Sequence, residues 1–423
     1  MKITGIIAEY NPFHNGHAYQ IQRAKELSGA DGIIVVMSGN YVQRGAPAAF
    51  DKFSRASMAL SNGADFVFEL PVLWSTASAE YFASAGIALL DALGCVDYIS
   101  FGCETPDISL MTRAAEVLSC EPKAYSDQLA FYLKQGIVFP RAREKAMMSY
   151  LSRQDDFSAE PELSFLLQSP NNILAIEYIK AIIRQKSRLI PLPVLRRGSG
   201  YHTTQITENF CSATAIRQLL LDTANTPLST NSLVQKIAPY VPQDVADHLA
   251  ASGRFCLTEQ DFSQSLFYRL LSERETGFSD YADGSVELSN RILHALSDFT
   301  DYRTFCESLK RKEVTYTRIS RMLLHILLNI RQSDYENGKN LGYIPYLRLL
   351  GFRREAARFF PALKKRASLP LITKPSKSTS VLDGSALSMF RQDVFASDLY
   401  YGVQAQKCGS PSPNECRRPI VIV

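Results

Sequence analysis

The strongest constraint on the fold is a beat in the first hundred residues, where short apolar runs alternate with stretches of helical period. Residues 3–8, 32–37, 65–70 and 97–101 are rich in Ile, Val and Phe and are bounded by Gly, Asn or Pro, as strands buried on both faces of a parallel sheet are. Between them, 16–27, 52–61 and 79–93 carry the period of helices packed on such a sheet. The chain is therefore expected to be α/β, opening with a Rossmann-like doubly wound parallel sheet. Beyond residue 109 the period is helical, including 172–183, with one more strand-like run at 189–195 and a helix with a Ser-rich entrance at 213–221. After about residue 225 the periodic segments 243–250, 261–272, 290–298, 319–330 and 353–364 all read as helices, 369–380 as a loop and 417–423 as a short strand. A length of 423 residues allows two or three cores. The expected division is a nucleotide-binding α/β domain at 1–224 and a mainly α-helical C-terminal domain at 225–423.

With 46% hydrophobic and 21% charged residues the composition excludes collagen-like, low-complexity and coiled-coil chains. No run approaches the ~20 apolar residues of a membrane span, and the eight cysteines never form C-x-x-C. A cytoplasmic protein without membrane contact, disulfide framework or protein-bound metal is expected.

The chemistry concentrates directly after the first strand, at Glu9-Tyr10-Asn11-Pro12-Phe13-His14-Asn15-Gly16-His17. In a doubly wound sheet the ligand crevice lies at the carboxyl ends of the strands, where this turn sits. His14 and His17, three apart on a first helical turn, project to one side, and a helix amino terminus favours phosphate through its N–H groups. Gly16 lets the backbone approach a bulky ligand. Taken singly, His202, His248, His294 and His325 read as ordinary core or surface residues. Two of six histidines in one strand-to-helix turn do not. A second element, Ser212-Ala213-Thr214-Ala215-Ile216-Arg217, would alone be a capped helix start; paired with the histidine turn it offers hydroxyls and a guanidinium to the same phosphates.

At Asn-Pro-Phe-His-Asn-Gly-His the chain resembles the nucleotidyltransferase superfamily with its (H/T)-x-G-H signature. Met37-Ser38-Gly39-Asn40-Tyr41-Val42-Gln43-Arg44-Gly45, Ser100-Phe101-Gly102-Cys103-Glu104, Pro170-Asn171-Asn172 and Arg196-Arg197-Gly198-Ser199-Gly200-Tyr201-His202 extend the likeness. Together they resemble the bacterial tRNA(Met) cytidine acetate ligase family. The resemblance implies ATP-dependent activation of acetate as acetyl-adenylate and acetyl transfer to N4 of the wobble cytidine of elongator tRNA(Met). It places ATP on Ile7, Ala8, Glu9, Tyr10, Asn11, Pro12, Phe13, His14, Asn15, Gly16, His17 and Gln20, and on Gly102, Asn171, Arg196 and Arg197. His14 and His17 act at the phosphates with Ser212, Thr214 and Arg217. Magnesium accompanies ATP, with no protein ligand assigned; acetate is too small to leave a motif of its own.

The net charge of +4 is unevenly spread: residues 1–105 hold six bases against ten acids, whereas 348–377 hold nine bases and only Glu355. Within that run Arg353, Arg354, Lys364, Lys365 and Arg366 are candidates for gripping a tRNA backbone. Two other functions fit less of the sequence: a small-molecule adenylyltransferase, which leaves the basic half without a use, and a non-catalytic RNA-binding protein, which leaves the intact His14, Gly16, His17 and Arg217 without one. No protein partner is indicated.

Overall fold

The computed structural model describes residues 1–153, 160–197, 211–224, 235–252, 256–311, 314–411 and 414–423. The expected boundary at 224/225 borders a segment outside these, and Gly198 to His202 of the basic loop lie outside the described residues.

Ten strands are present among the described residues: β1 (Ile3–Ala8), β2 (Gly32–Ser38), β3 (Tyr41–Val42), β4 (Ala46–Pro47), β5 (Phe66–Leu70), β6 (Tyr98–Cys103), β7 (Ile190–Leu195), β8 (Leu347–Phe352), β9 (Leu371–Ile372) and β10 (Val421–Ile422). The main sheet runs β10-β8-β5-β2-β1-β6-β7, with β9 beside β8. β5, β2, β1, β6 and β7 are mutually parallel. Chain order reverses between β1 and β6, which opens a crevice at their carboxyl ends. The Asn15–Ser28 and Lys52–Ser61 helices cover one face, packing Ile21, Ala24, Phe53 and Ala56 against Ile6, Ile33 and Val35. The Ala79–Ala92 and Pro170–Gln185 helices cover the other, over Ile7, Ile34 and Ile99. Both faces of the central strands are thus buried, which is why they read as unbroken apolar runs.

Sequence pattern does not single out β8. Leu347-Arg348-Leu349-Leu350-Gly351-Phe352 carries a cation in its middle, yet it pairs antiparallel with β5 and completes the sheet from the second half of the chain. Arg348 is only 1% exposed because Glu415 meets it inside the protein, its Oε1 lying 3.5 Å from the guanidinium. The single helix expected over 353–364 is instead a 3-10 turn, Arg354–Phe359, followed by the Phe360–Arg366 helix. Pro361, which fits only a first helical turn, starts the second piece. No helix among the described residues is long and apolar enough to cross a membrane.

A buried ionic cluster fastens the halves together. Lys52 Nζ lies 2.8 Å from Glu69 at the end of β5, 2.8 Å from Glu415 and 3.0 Å from Ser397 Oγ on the Gly384–Cys408 helix. On the same helix Asp393 accepts from Val72 N at 2.7 Å and from the Tyr346 hydroxyl. Burial, then the nearby Glu69 charge, push the Asp393 carboxyl up to about 7 from its ordinary 3.8. Between these values the folded chain holds a proton that the unfolded chain has released, so this group's contribution is full below the lower value and is lost as pH rises through about 7. Asp393→Asn, neutral throughout, is therefore expected to raise the melting temperature relative to the parent more at pH 8 than at pH 5. A difference independent of pH would mean that Asp393 is not held protonated.

Candidate active site

β1 delivers the chain to the crevice and the next residues turn sharply there. Tyr10 adopts a left-handed backbone with φ 48°, a conformation that costs an L-residue about 1 kcal/mol. Packing secures it: the Tyr10 ring is 1% exposed and meets Phe13 and His17 edge to face at 4.9 and 4.8 Å. The Asn15–Ser28 helix then begins with His14 as its cap.

The two imidazoles form a reciprocal cap. His14 Nδ1 accepts from Gly16 N at 3.0 Å and His17 Nδ1 accepts from His14 N at 3.3 Å. The rings stack at 3.7 Å, inclined by 24°. A neutral imidazole whose Nδ1 accepts carries its proton on Nε2, so each ring retains one N–H donor for the cavity that it lines. Burial, then Arg196 and Arg217, lower His14 to about 3. Burial, then His14 and Arg196, take His17 well below 6.5. At neutral pH the pair is therefore a set of fixed dipolar donors rather than cations.

One sequence expectation changes here. The amides of the first turn are already taken: Asn15 N by the Tyr240 carbonyl, Gly16 N by His14 Nδ1 and His17 N by the His14 carbonyl. The imidazoles, which use the amides to fix themselves, are the donors in their place. Gly16 lies against the same ring, since a Cβ there would lie 2.9 Å from His14 Cε1, and it also lines the cavity.

A cavity of about 510 Å³ opens in front of the pair. Of the expected residues, Ile7, Ala8, Glu9, Tyr10, Asn11, His14, Gly16, His17, Gln20, Gly102, Asn171, Arg196, Arg197, Ser212, Thr214 and Arg217 all line it. Pro12, Phe13 and Asn15 stand outside that wall. Phe13 is fully buried, and Asn15 binds the Pro239 carbonyl at 3.0 Å. Ser212 Oγ caps Ala215 N at 3.2 Å, while Arg217 donates to the Asn11 carbonyl at 2.7 Å and to Thr214 Oγ1 at 3.1 Å. The capped helix start and the histidine turn are thus one assembly.

At the β6–β7 end, Arg196 lies over Gly102, where a Cβ would come within 3.3 Å of its Cγ. Arg197 sits over the Tyr19 ring at 4.8 Å. Asn172 is wholly buried and binds the amides of Glu104 and Thr105 at 2.9 and 3.2 Å, whereas Asn171, which donates to Glu104 Oε1 at 2.6 Å, faces the cavity.

Sequence reasoning missed Arg55, which is fully buried and donates to the carbonyls of Glu9 (2.6 Å), Phe50 (2.8 Å), Ser38 (3.1 Å) and Gly39. It holds the ends of β1 and β2 together beneath the site. Also missed were Phe82, Tyr178 and a wall from the second half, including Glu259, Arg303, Tyr316 and Thr317. Their only local signal is a capping box at Thr258 and Asp261.

The basic run does not join this cavity. β8 is antiparallel to its neighbour, so Arg353 and the residues after it emerge at the opposite edge of the sheet: Arg353 N binds the Asp65 carbonyl and Ser368 N that of Ala92. A strand of six residues separates the two edges by about 20 Å. Arg353 is itself paired with Asp65 at 2.6 Å; Arg354, Lys364, Lys365 and Arg366 are exposed.

Residues 1–413 match the family described as HIGH Nucleotidyl Transferase. The chain is 36% identical over 405 residues to the tRNA(Met) cytidine acetate ligase of Halothermothrix orenii, covering 95% of this chain and 94% of that protein. It is 38% identical to the ligase of Thermoanaerobacter sp. strain X514, covering 95% of each. Among solved structures it is similar to Thermotoga maritima TmcAL, alone (TM-score 0.90) and with alpha-thio ATP (TM-score 0.88), at 31% identity over the whole of both chains. The chain therefore belongs to the HIGH nucleotidyl transferase family, and among its members to the tRNA(Met) cytidine acetate ligases.

Proposed function

We propose that this chain is an ATP-dependent ligase that activates acetate as acetyl-adenylate and transfers the acetyl group to N4 of the wobble cytidine of elongator tRNA(Met). The observation that carries this reading is the pair of neutral, Nε2-protonated imidazoles, held by reciprocal capping and flanked by Arg196 and Arg217. Attack on the α-phosphorus builds negative charge on phosphate oxygens, and donors fixed in advance stabilise that charge more than they stabilise bound ATP. In this reading ATP lies with its base toward β6 and β7, against Gly102, Asn171 and Arg196, and its triphosphate toward Ser212, Thr214 and Arg217. Magnesium would accompany the phosphates and would supply further neutralisation of their charge beside Ser212, Thr214 and Arg217.

The direct test is incorporation of carbon-14 acetate into bulk bacterial tRNA, with and without ATP. Label confined to one methionine tRNA and dependent on ATP is the expected result. A labelled or adenylylated small molecule, with no labelled tRNA, would replace the RNA half of this reading.

The exposed cluster at the far edge of the sheet supplies a second expectation. An anticodon arm held in the cavity leaves the rest of a tRNA free to pass round the protein. Reversing charge at Lys364, Lys365 and Arg366 is expected to weaken tRNA binding, and to lower the slope of log affinity against log salt by about one for each phosphate that is no longer neutralised. ATP affinity should not change. An unaltered slope would place the RNA on the rim of the cavity alone.

A further inference from the structure

The cavity that His14 and His17 line has two sides, built from different parts of the chain. One, lined by β6, β7 and the Pro170–Gln185 helix, takes the nucleotide in the acetate-ligase reading. The other belongs largely to the second half of the chain and needs an occupant of its own. Its wall is rigidly built. Gly45, with φ 78°, leaves no room for a Cβ against the Arg321 backbone, and its carbonyl accepts from Ser320 Oγ at 2.8 Å, which locks the β3–β4 hairpin to the Tyr316–Leu328 helix. Leu257 N binds the Ala49 carbonyl at 2.9 Å.

On this wall Glu259 and Arg303 form a pair. Arg303 Nε and Nη2 both reach Glu259 Oε1, at 3.0 and 2.7 Å, while Glu259 Oε2 has no partner among the described residues. The carboxylate is 20% exposed and the guanidinium 54%, so the acid lies inside the mouth and the base at its rim. Tyr316 lines the same cavity.

We infer that Glu259, Arg303 and Tyr316 are the subsite for the acceptor base, and that the base they select is cytosine. This rests on the acetate-ligase reading. The cytosine edge presents an N4 amino donor beside the N3 and O2 acceptors, and a carboxylate with an adjoining guanidinium presents the complementary acceptor and donors. Uracil presents O4 where cytosine presents N4, and that oxygen would face the carboxylate. A single-stranded base is commonly held by stacking on an aromatic ring, which Tyr316 offers. In the transfer step the N4 lone pair forms a bond to the acetyl carbon, the bond from that carbon to the phosphate oxygen breaks, AMP departs with the electron pair, and the N4 proton passes to Glu259 Oε2.

The test uses the full chain with Glu259→Gln, which keeps size and an acceptor oxygen, and reads three quantities. Acetate-dependent ATP–pyrophosphate exchange reports adenylate formation. Carbon-14 acetate reports transfer to tRNA. Affinity for the wobble-cytidine transcript relative to its uridine counterpart reports base selection without any chemistry. Transfer is expected to fall roughly a hundredfold with exchange within about twofold, and the cytidine preference to narrow roughly tenfold, because the amide can also donate to O4. Arg303→Ala should weaken cytidine binding without restoring uridine. Equal loss of exchange and transfer, or an unchanged cytidine-to-uridine ratio in a folded variant, overturns the assignment. A parent enzyme that supports neither exchange nor transfer refutes the acetate-ligase reading instead, and the binding ratio alone then decides whether Glu259 reads a base.

Discussion

His17→Ala is expected to lower acetate-dependent ATP–pyrophosphate exchange by roughly a thousandfold, the scale seen when one prepositioned oxyanion donor is removed. Alanine removes the Nε2–H donor and also the acceptor that fixes the His14 amide. The second loss is that of a helix cap, with a stability cost of about 1 kcal/mol. Activity and stability should therefore part company, and thermal unfolding beside exchange kinetics measures both. If the unfolding temperature falls as steeply as the rate, His17 is part of the scaffold and not of the chemistry. His14 is the poorer probe, since it is 6% exposed and its ring is enclosed by the helix start that it caps.

Lys52→Met is expected to cost the fold about 3–5 kcal/mol, the usual penalty for leaving buried charge without its partner. Glu69 and Glu415 would then share their site with Arg348 alone, which lies 3.5 Å from Glu415. Urea unfolding measures the loss. Its pH dependence gives a second check: with the cation gone the two carboxylates gain most by taking up protons, so the deficit should shrink as pH falls. Replacing Glu415 by leucine in the same chain should recover part of the stability, because an apolar pair in a buried position often equals or exceeds an ionic one. A deficit below about 1 kcal/mol, the range of exposed pairs, would mean that water reaches the cluster.

The central sheet was legible because parallel strands covered on both faces leave unbroken apolar runs, and β1, β2, β5, β6 and β7 fall where such runs predict them. β8 was not, because Arg348 looks like a surface residue until Glu415, 67 positions later in the chain, neutralises it in space. The histidine turn was legible from spacing alone. Its direction of hydrogen bonding was not, since nothing in His-Asn-Gly-His states that the rings accept from the backbone before they donate to a ligand. Arg55 reads as a solvated helix residue because its partners are four carbonyls, which leave no mark on a sequence. Glu259 and Arg303 meet across 44 residues with no motif to join them. Local chemistry is written locally; a wall assembled by tertiary contact is visible only once the chain has folded.

The late arrival of β8 has a consequence for how this protein is made. β5 ends at Leu70 and its antiparallel partner begins at Leu347, so a ribosome must add roughly 280 residues between them, which at about 5–20 residues per second takes roughly 15–55 s. Throughout that interval the nascent sheet exposes the hydrogen-bonding edge of β5, and the Lys52–Glu69 pair lacks its third member. An unpaired edge is a template for association with other chains. Translation of the middle of this chain is therefore a period of vulnerability, in which a chaperone that covers strand edges would raise the yield of active enzyme more than one that acts only after release.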